Sequence, residues 1–475
     1  MTSLEAKTAI RERFGRDFQT LWYMGVKTRL VPGFIDGAVR DLLAPGGTLL
    51  DLCTGTATVA RAFASRYRVL ANDALRFSAT LARAHLEGGA GWPAALDALD
   101  PELELDAMFQ QNFAALAALE PAALAKESAL LARICPGNRA LAEDPTALAE
   151  YREFVAATPP PELNRSAATA SPTFEPFASS ITDLLATRRS SPATRPCALF
   201  TLYFQNVYFG VRQSMVIDSL RAAIDALPMD ISYRAERQAL YLGALLQACS
   251  TSTSGTSHFA QPRGIEKDSE LIRVANRRAI DLELEFASAL DAIRGEWAHA
   301  PRDPRNRVFA LPADELLASD GPLAREEVGL VYLDPPYTSD NYSRFYHVLE
   351  TLVSYDYPEI ERRGAALTRA RYPRVAARHQ SEFCQPANVE AAFRKTAQQC
   401  RQLGARLLVS YSLQSGLLLK RWRKAGDADP RRRFHQLFRD YYESVEIREM
   451  SLMHSGQGDS NLNVQELLVL CEEAH

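Results

Sequence analysis

Short apolar runs that end in an acid or a polar turn recur along this chain, and a long Ala- and Leu-rich stretch separates the first two from the rest. Thr48-Leu49-Leu50-Asp51-Leu52-Cys53 and Arg68-Val69-Leu70-Ala71 read as buried strands. Between them, Thr54-Gly55-Thr56-Ala57-Thr58 predicts a turn and Val59 to Ser65 a helix. With Asn72-Asp73 at the tip of the second strand, this is the first half of a nucleotide-binding α/β unit. From about Leu81 to Tyr151 the composition predicts helix. Thr158 to Pro196 opens on Pro159-Pro160-Pro161 and predicts an irregular excursion. Leu199 to Leu227, Arg234 to Cys249 and Lys267 to Ala298 predict further helices, the last of them long and charged. Strand signals return at Arg307 to Ala310, Val328 to Leu333, Ala405 to Ser410, Val445 to Met450 and Glu466 to Cys471.

The α/β pattern therefore opens before the helical block and resumes after it. One core sheet with a large, mainly helical insertion satisfies this order. Residues 1–80 then form the N-terminal part of the core, 81–260 the insertion and 261–475 the C-terminal part.

A chain of 475 residues with 47% hydrophobic and 24% charged residues suits a large globular protein. No run is long and apolar enough to span a bilayer, and Met1 to Arg16 lacks the core of a signal peptide. The seven cysteines are scattered with no C-x-x-C pair, which predicts reduced thiols, no metal site and a cytoplasmic setting. A net charge of −4 argues mildly against a nucleic-acid partner. The charge is uneven, however. Arginines crowd Arg362 to Arg378, and lysines and arginines crowd Lys420 to Arg433, so local basic faces remain compatible with nucleic acid. A solvated helix face accounts equally well for either run alone.

The run Val328 to Leu333 leads straight into Asp334-Pro335-Pro336-Tyr337. Ligands in open α/β sheets bind just outside the carboxyl ends of strands, where this tetrapeptide would lie. A carboxylate and a free carbonyl can hold an extrahelical base amine, the prolines keep the loop stiff, and the ring can stack on the base. A surface turn is the lesser alternative for the tetrapeptide taken alone.

Together these segments resemble the Dam-like, alpha-group N6-adenine DNA methyltransferases, with cofactor motifs first, a target-recognition segment in the middle and the catalytic motif late. The likeness is to the larger members that accompany restriction endonucleases, and covers most of 20–80, 200–260 and 305–355. It extends to Asn341-Tyr342-Ser343-Arg344-Phe345-Tyr346-His347-Val348-Leu349-Glu350-Thr351 after the tetrapeptide. The resemblance implies a Rossmann-like S-adenosylmethionine-dependent sheet and methylation of a flipped-out adenine in double-stranded DNA. Asp334, Pro335, Pro336 and Tyr337 would be catalytic. Tyr23, Gly25 and Lys27 match an aromatic-x-G-x-K motif, with Lys27 near the methionine carboxylate of the cofactor. Asp51, Cys53 and Gly55 match the first cofactor loop, Asp73 the acid on the ribose, and Asp314 an acid near the cofactor adenine; none implies a metal. Tyr208-Phe209-Gly210 with Asp218 and Arg221, and Ser254 to Phe259, resemble segments near the DNA, although their aromatics read first as core. Arg371 and Arg374 are expected at phosphates, and a monomer is the expected state, with a restriction endonuclease or defence protein as partner.

The first loop departs from the family's aromatic-x-G-x-G form, with Cys53 for the aromatic and Ala57 for the last glycine. An alanine fits there at negative φ and is strained at positive φ. Two other readings follow: an RNA N6-adenine methyltransferase using the same site, and a non-catalytic nucleic-acid-binding relative. A dinucleotide-dependent oxidoreductase ranks lower, because the tetrapeptide has no role in hydride transfer.

Overall fold

The computed structural model describes residues 21, 23, 27–135, 144–157, 196–256, 258–364, 366–455 and 461–473. Gly25 and nearly all of the Pro-rich excursion, 158–195, lie outside the described residues. The chain forms two compact units, one of 1–93, 294–342 and 379–475, the other of 94–293 and 343–378.

The first unit is built on a seven-stranded sheet. Its strands are β1 (Thr48–Asp51), β2 (Arg68–Asn72), β3 (Arg307–Phe309), β4 (Leu330–Leu333), β5 (Arg406–Ser412), β6 (Ser444–Ser455) and β7 (Asn461–Glu472). Their spatial order is β3-β2-β1-β4-β5-β7-β6. β1 to β5 are parallel, and β7 runs antiparallel to β5 and β6. A parallel sheet covered on both faces needs apolar runs rather than strict alternation, and Leu330–Leu333 is buried throughout. Leu50, Leu70 and Val331 pack into one core layer, and Leu49, Val69, Leu330 and Leu408 into the other. The order reverses between β1 and β4, so a crevice opens beyond their carboxyl ends.

Asn72 ties that end together. Its amide nitrogen donates to the Leu52 and Leu311 carbonyls, each at 3.0 Å, and its oxygen accepts from Leu311 N at 3.2 Å. One buried side chain thus fixes the loops after β1 and β3 from the tip of β2.

The second unit is mainly helical, and includes Pro101–Leu119, Pro121–Ile134, Pro145–Ala157, Val211–Asp225 and Arg234–Ser252. Proline opens three of these, where its missing N–H costs nothing. A two-stranded ribbon, Arg362–Arg363 with Ala366–Leu367, completes it. The long helix expected from Lys267 to Ala298 is instead two, Asp268–Arg278 and Leu282–His299. Asp281 makes the break by accepting from the Glu283 and Leu284 amides at 3.0 and 3.3 Å, which caps a new helix start. Tyr208, Phe209 and Phe259 are core residues. Asp218 is fully buried and accepts from Phe200 N, Thr201 N and Thr201 Oγ1, each at 2.8 Å, and from the Tyr355 hydroxyl. Arg221 donates to the Leu352 and Val353 carbonyls at 2.7 and 3.0 Å, closing the end of the helix His347–Ser354. Arg371 is buried, at φ +61°. Arg374 pairs with Glu359 at 2.5 Å.

Candidate active site

Two loops converge at the reversal point because β1 and β4 are neighbours in register, with Leu50 opposite Val331. Leu52 N donates to Tyr332 O at 2.9 Å, which carries the pairing into the loops themselves.

In the β4 loop, Pro335 is buried and Asp334, Pro336 and Tyr337 are half-buried. The Lys27 ammonium lies 2.9 Å from Asp334 Oδ1 and 3.2 Å from Glu466 Oε1. The Tyr337 hydroxyl shares its single proton between Asp334 Oδ1, at 2.8 Å, and Glu466 Oε1. Ser410 donates to the same Glu466 oxygen at 2.6 Å. Among the described residues nothing donates to Asp334 Oδ2 or to the Pro335 carbonyl, so two consecutive residues each keep an acceptor unengaged. Burial pushes the Asp334 carboxyl up to about 6; Lys27 pulls it down and Glu466 pushes it further up. Burial works against the charge on Lys27, but Asp334 and Glu466 outweigh it and raise its pKa. The Tyr337 ring meets Tyr411 edge-on at 5.4 Å, and its carbonyl accepts from Leu417 N at 2.8 Å.

The β1 loop is held by its own backbone. Asp51 Oδ2 accepts from Thr54 Oγ1 at 2.9 Å and Ala60 N at 3.0 Å. Its Oδ1 is buried with no partner among the described residues, and burial raises the carboxyl to about 7. Asp73 accepts from Gly55 N and Leu75 N, each at 2.9 Å, and burial raises it to about 6. Gly55 adopts φ +53°, and a Cβ there would come within 2.9 Å of the Tyr23 ring. Glycine avoids both the backbone strain and this close approach. Tyr23 in turn sits between Phe77 and Tyr342, at 6.3 and 5.9 Å. Cys53 is half-buried, and burial holds its thiol well above the usual range, so it is no nucleophile. Ala57 stands at φ +57°, the strained alternative for an alanine.

An orphaned carboxylate oxygen, a carboxylate at the tip of β2 and an aromatic ring over a glycine fit a nucleoside-bearing cofactor with hydroxyl and amine donors. Asp314 is half-exposed, paired with Lys395 at 2.7 Å, and shares no hydrogen-bond partner with the other residues of the site among those described. Glu466 is the residue that sequence reading missed. It is a buried acid at the mouth of an apolar strand, and that exception was the available signal. Among the described residues no cluster of His, Cys, Asp and Glu could hold a metal, and no helix is long and apolar enough to cross a membrane.

Residues 318–386 match the D12 class N6 adenine-specific DNA methyltransferases. That segment is similar to the adenine methyltransferases that the sequence resembles. Modification methylase LlaI of Lactococcus lactis subsp. lactis is 26% identical over 278 residues, covering 57% of this chain and 38% of its own length. Type II methyltransferase M.FokI of Planomicrobium okeanokoites is 36% identical over 91 residues, 19% of this chain and 12% of its own length. The chain thus spans well under half the length of these curated relatives. No solved structure matches it significantly.

Proposed function

We propose that this protein is a site-specific DNA adenine-N6 methyltransferase using S-adenosylmethionine, acting as the modification enzyme of a restriction-modification or phage-defence system. The observation that carries the reading is the pair of open acceptors, Asp334 Oδ2 and the Pro335 carbonyl, at the reversal point of a mostly parallel sheet. The match over residues 318–386 supports the adenine assignment. The strand order supports a Rossmann-like core. In this reading 1–93, 294–342 and 379–475 supply that core, and the mainly helical unit of 94–293 and 343–378 reads the target sequence. We expect a monomer in the cytoplasm, acting on duplex DNA beside a cognate endonuclease or defence partner.

S-adenosylmethionine, when bound, supplies a methyl group already activated by its sulfonium charge. The chain's own task is positioning. Asp73 offers lone pairs to ribose hydroxyls, while Tyr23 and Gly55 form a wall against which the nucleoside rests. Gly25 and Asp314 enter by resemblance alone. Lys27 is engaged with Asp334 and Glu466 here, so its first duty is to hold the catalytic acid. An adenine turned out of the duplex presents N6 to the tetrapeptide. Asp334 Oδ2 and the Pro335 carbonyl accept its two hydrogens, which favours a tetrahedral nitrogen with a free lone pair. At neutral pH Asp334 is mostly ionised, yet basic enough to take up the proton released as N6 is alkylated. The Tyr337 hydroxyl, anchored on both carboxylates, fixes the ring that stacks on the base.

Transfer of labelled methyl to duplex DNA, wild type against Asp334→Ala, with nucleoside analysis of the product, tests the reading. N6-methyladenine should form and fall by about a thousandfold in the variant. Equal labelling of RNA and DNA would instead favour the RNA enzyme. One observation favours a non-catalytic relative: Ala57 at positive φ in the cofactor loop. Calorimetry that finds no S-adenosylmethionine binding would make that reading the leading one.

A further inference from the structure

Lys420 to Arg439 carries eight Lys and Arg against two Asp, on a chain whose net charge is −4. It folds as the helices Leu417–Lys424 and Pro430–Arg439, which bury Leu418, Leu419, Trp422, Phe434, Leu437 and Phe438 and expose every lysine and arginine. The first helix is joined to the catalytic loop, since Leu417 N donates to Tyr337 O at 2.8 Å. A chain of rings leads to the second: Tyr337 to Tyr411 at 5.4 Å and Tyr411 to Phe434 at 5.4 Å.

Register fixes the height of this pair on the sheet. Arg431 bonds Glu449 at 2.7 Å; Glu449 pairs with Leu467, and Leu467 with Tyr411. Tyr411 lies two residues past Val409, the partner of Leu333. The start of the second helix therefore stands level with the residues just after Leu333, which include Asp334. Some cations are spent within the fold. Arg431 is paired as above, Arg433 lies over the Trp422 ring and near Glu390 and Asp427, and Arg421 and Arg423 donate to backbone carbonyls. Lys420, Lys424 and Arg432 make no side-chain hydrogen bond or ion pair with any described residue. Lys420 and Lys424, one turn apart, share a face, with a span of about 6 Å along the axis.

We propose that Lys420, Lys424 and Arg432 grip the phosphate backbone of the DNA duplex beside the flipped adenine. This rests on the methyltransferase reading above. A polyanion that bears bases satisfies both this cationic rim and the acceptor on Asp334. Lys420 and Lys424 lie close enough together to meet neighbouring phosphates of one strand. Such contacts position the duplex without reading its sequence.

The test is a salt titration of binding to a duplex oligonucleotide, comparing wild type with K420Q/K424Q/R432Q and with the charge-preserving K420R/K424R/R432K. Melting temperature and S-adenosylmethionine affinity, both expected unchanged, serve as controls for folding. The neutral variant should bind at least tenfold more weakly at low salt, and its log–log salt slope should flatten by about 2.7, near 0.9 for each lost contact. The charge-preserving variant should keep the wild-type slope. An unchanged slope in the neutral variant, with wild type still methylating DNA, overturns the inference and leaves the enzymatic reading standing. Loss of RNA binding with an unchanged DNA titration overturns it too. A wild type that neither binds nor methylates any DNA removes both.

Discussion

Asp334 in the first unit and Asp218 in the second are both acids that burial pushes up to about 6, yet they are built differently. Asp218 receives two backbone amides, a threonine hydroxyl and a tyrosine hydroxyl, and both of its oxygens are engaged. Asp334 receives a lysine and a tyrosine on one oxygen and keeps the other open. Its neighbours also include a second carboxylate, Glu466, that competes for the same two donors. A raised pKa therefore does not by itself separate a structural acid from a working one. What separates them is whether the donors satisfy the acid completely, and whether charge of its own sign is kept close by.

Exchanging the two roles by mutation sharpens this contrast. Asp218→Ala should cost about 2–4 kcal/mol in denaturant unfolding, because it strands buried amides. Activity per folded molecule should stay near wild type. Asp334→Ala should do the reverse, and an Asp218 variant that keeps its stability while losing methyl transfer would dissolve the distinction. The pH dependence separates the acids next. Asp334 must be ionised to accept the N6 hydrogens, so kcat/KM should rise as pH rises through about 6 and level off above. Glu466 raises the Asp334 pKa, so Glu466→Gln should move that limb to lower pH, whereas Asp218→Asn should leave it in place. A limb that stays put in Glu466→Gln would uncouple the two carboxylates. The smallest effect concerns the strained loop. Ala57→Gly should raise stability by about 1 kcal/mol, since φ +57° suits glycine, with S-adenosylmethionine affinity equal to or above wild type. A loss of stability there would mean that the methyl packs well enough to outweigh the strain.

The strands were legible because buried parallel strands write themselves as apolar runs. The sheet segment Thr48–Asp51 and the tetrapeptide after Leu333 stand out on that basis alone. So did the acids at strand tips, Asp51, Asp73 and Asp334, since a carboxylate where an apolar run stops needs explaining. The break at Asp281 was missed because the helix pattern is similar on either side, and only the cap geometry interrupts it. The return of 343–378 to the second unit has no local signal, being a matter of which distant segments those residues pack against. Glu466 was hidden for a topological reason. Only because β7 runs antiparallel does its amino-terminal half reach the carboxyl ends of β4 and β5, and strand direction is not written in composition. Asp314 shows the converse, a motif match whose carboxylate is answered by Lys395 on the surface.

The pairing of β1 with β4 has a consequence for how the protein is made. β1 is complete at Asp51, but the strand that covers its flank ends at Leu333. At about 5–20 residues per second, a ribosome delivers that partner about 15–60 s later. Through that interval β1 and β2 can pair only with each other, leaving a bare parallel-strand edge on the nascent chain. The segment 94–293 is complete before Leu333 is made, and its helices can form during the wait. The catalytic crevice is thus among the last features to exist, assembled only after its two walls have spent most of synthesis apart.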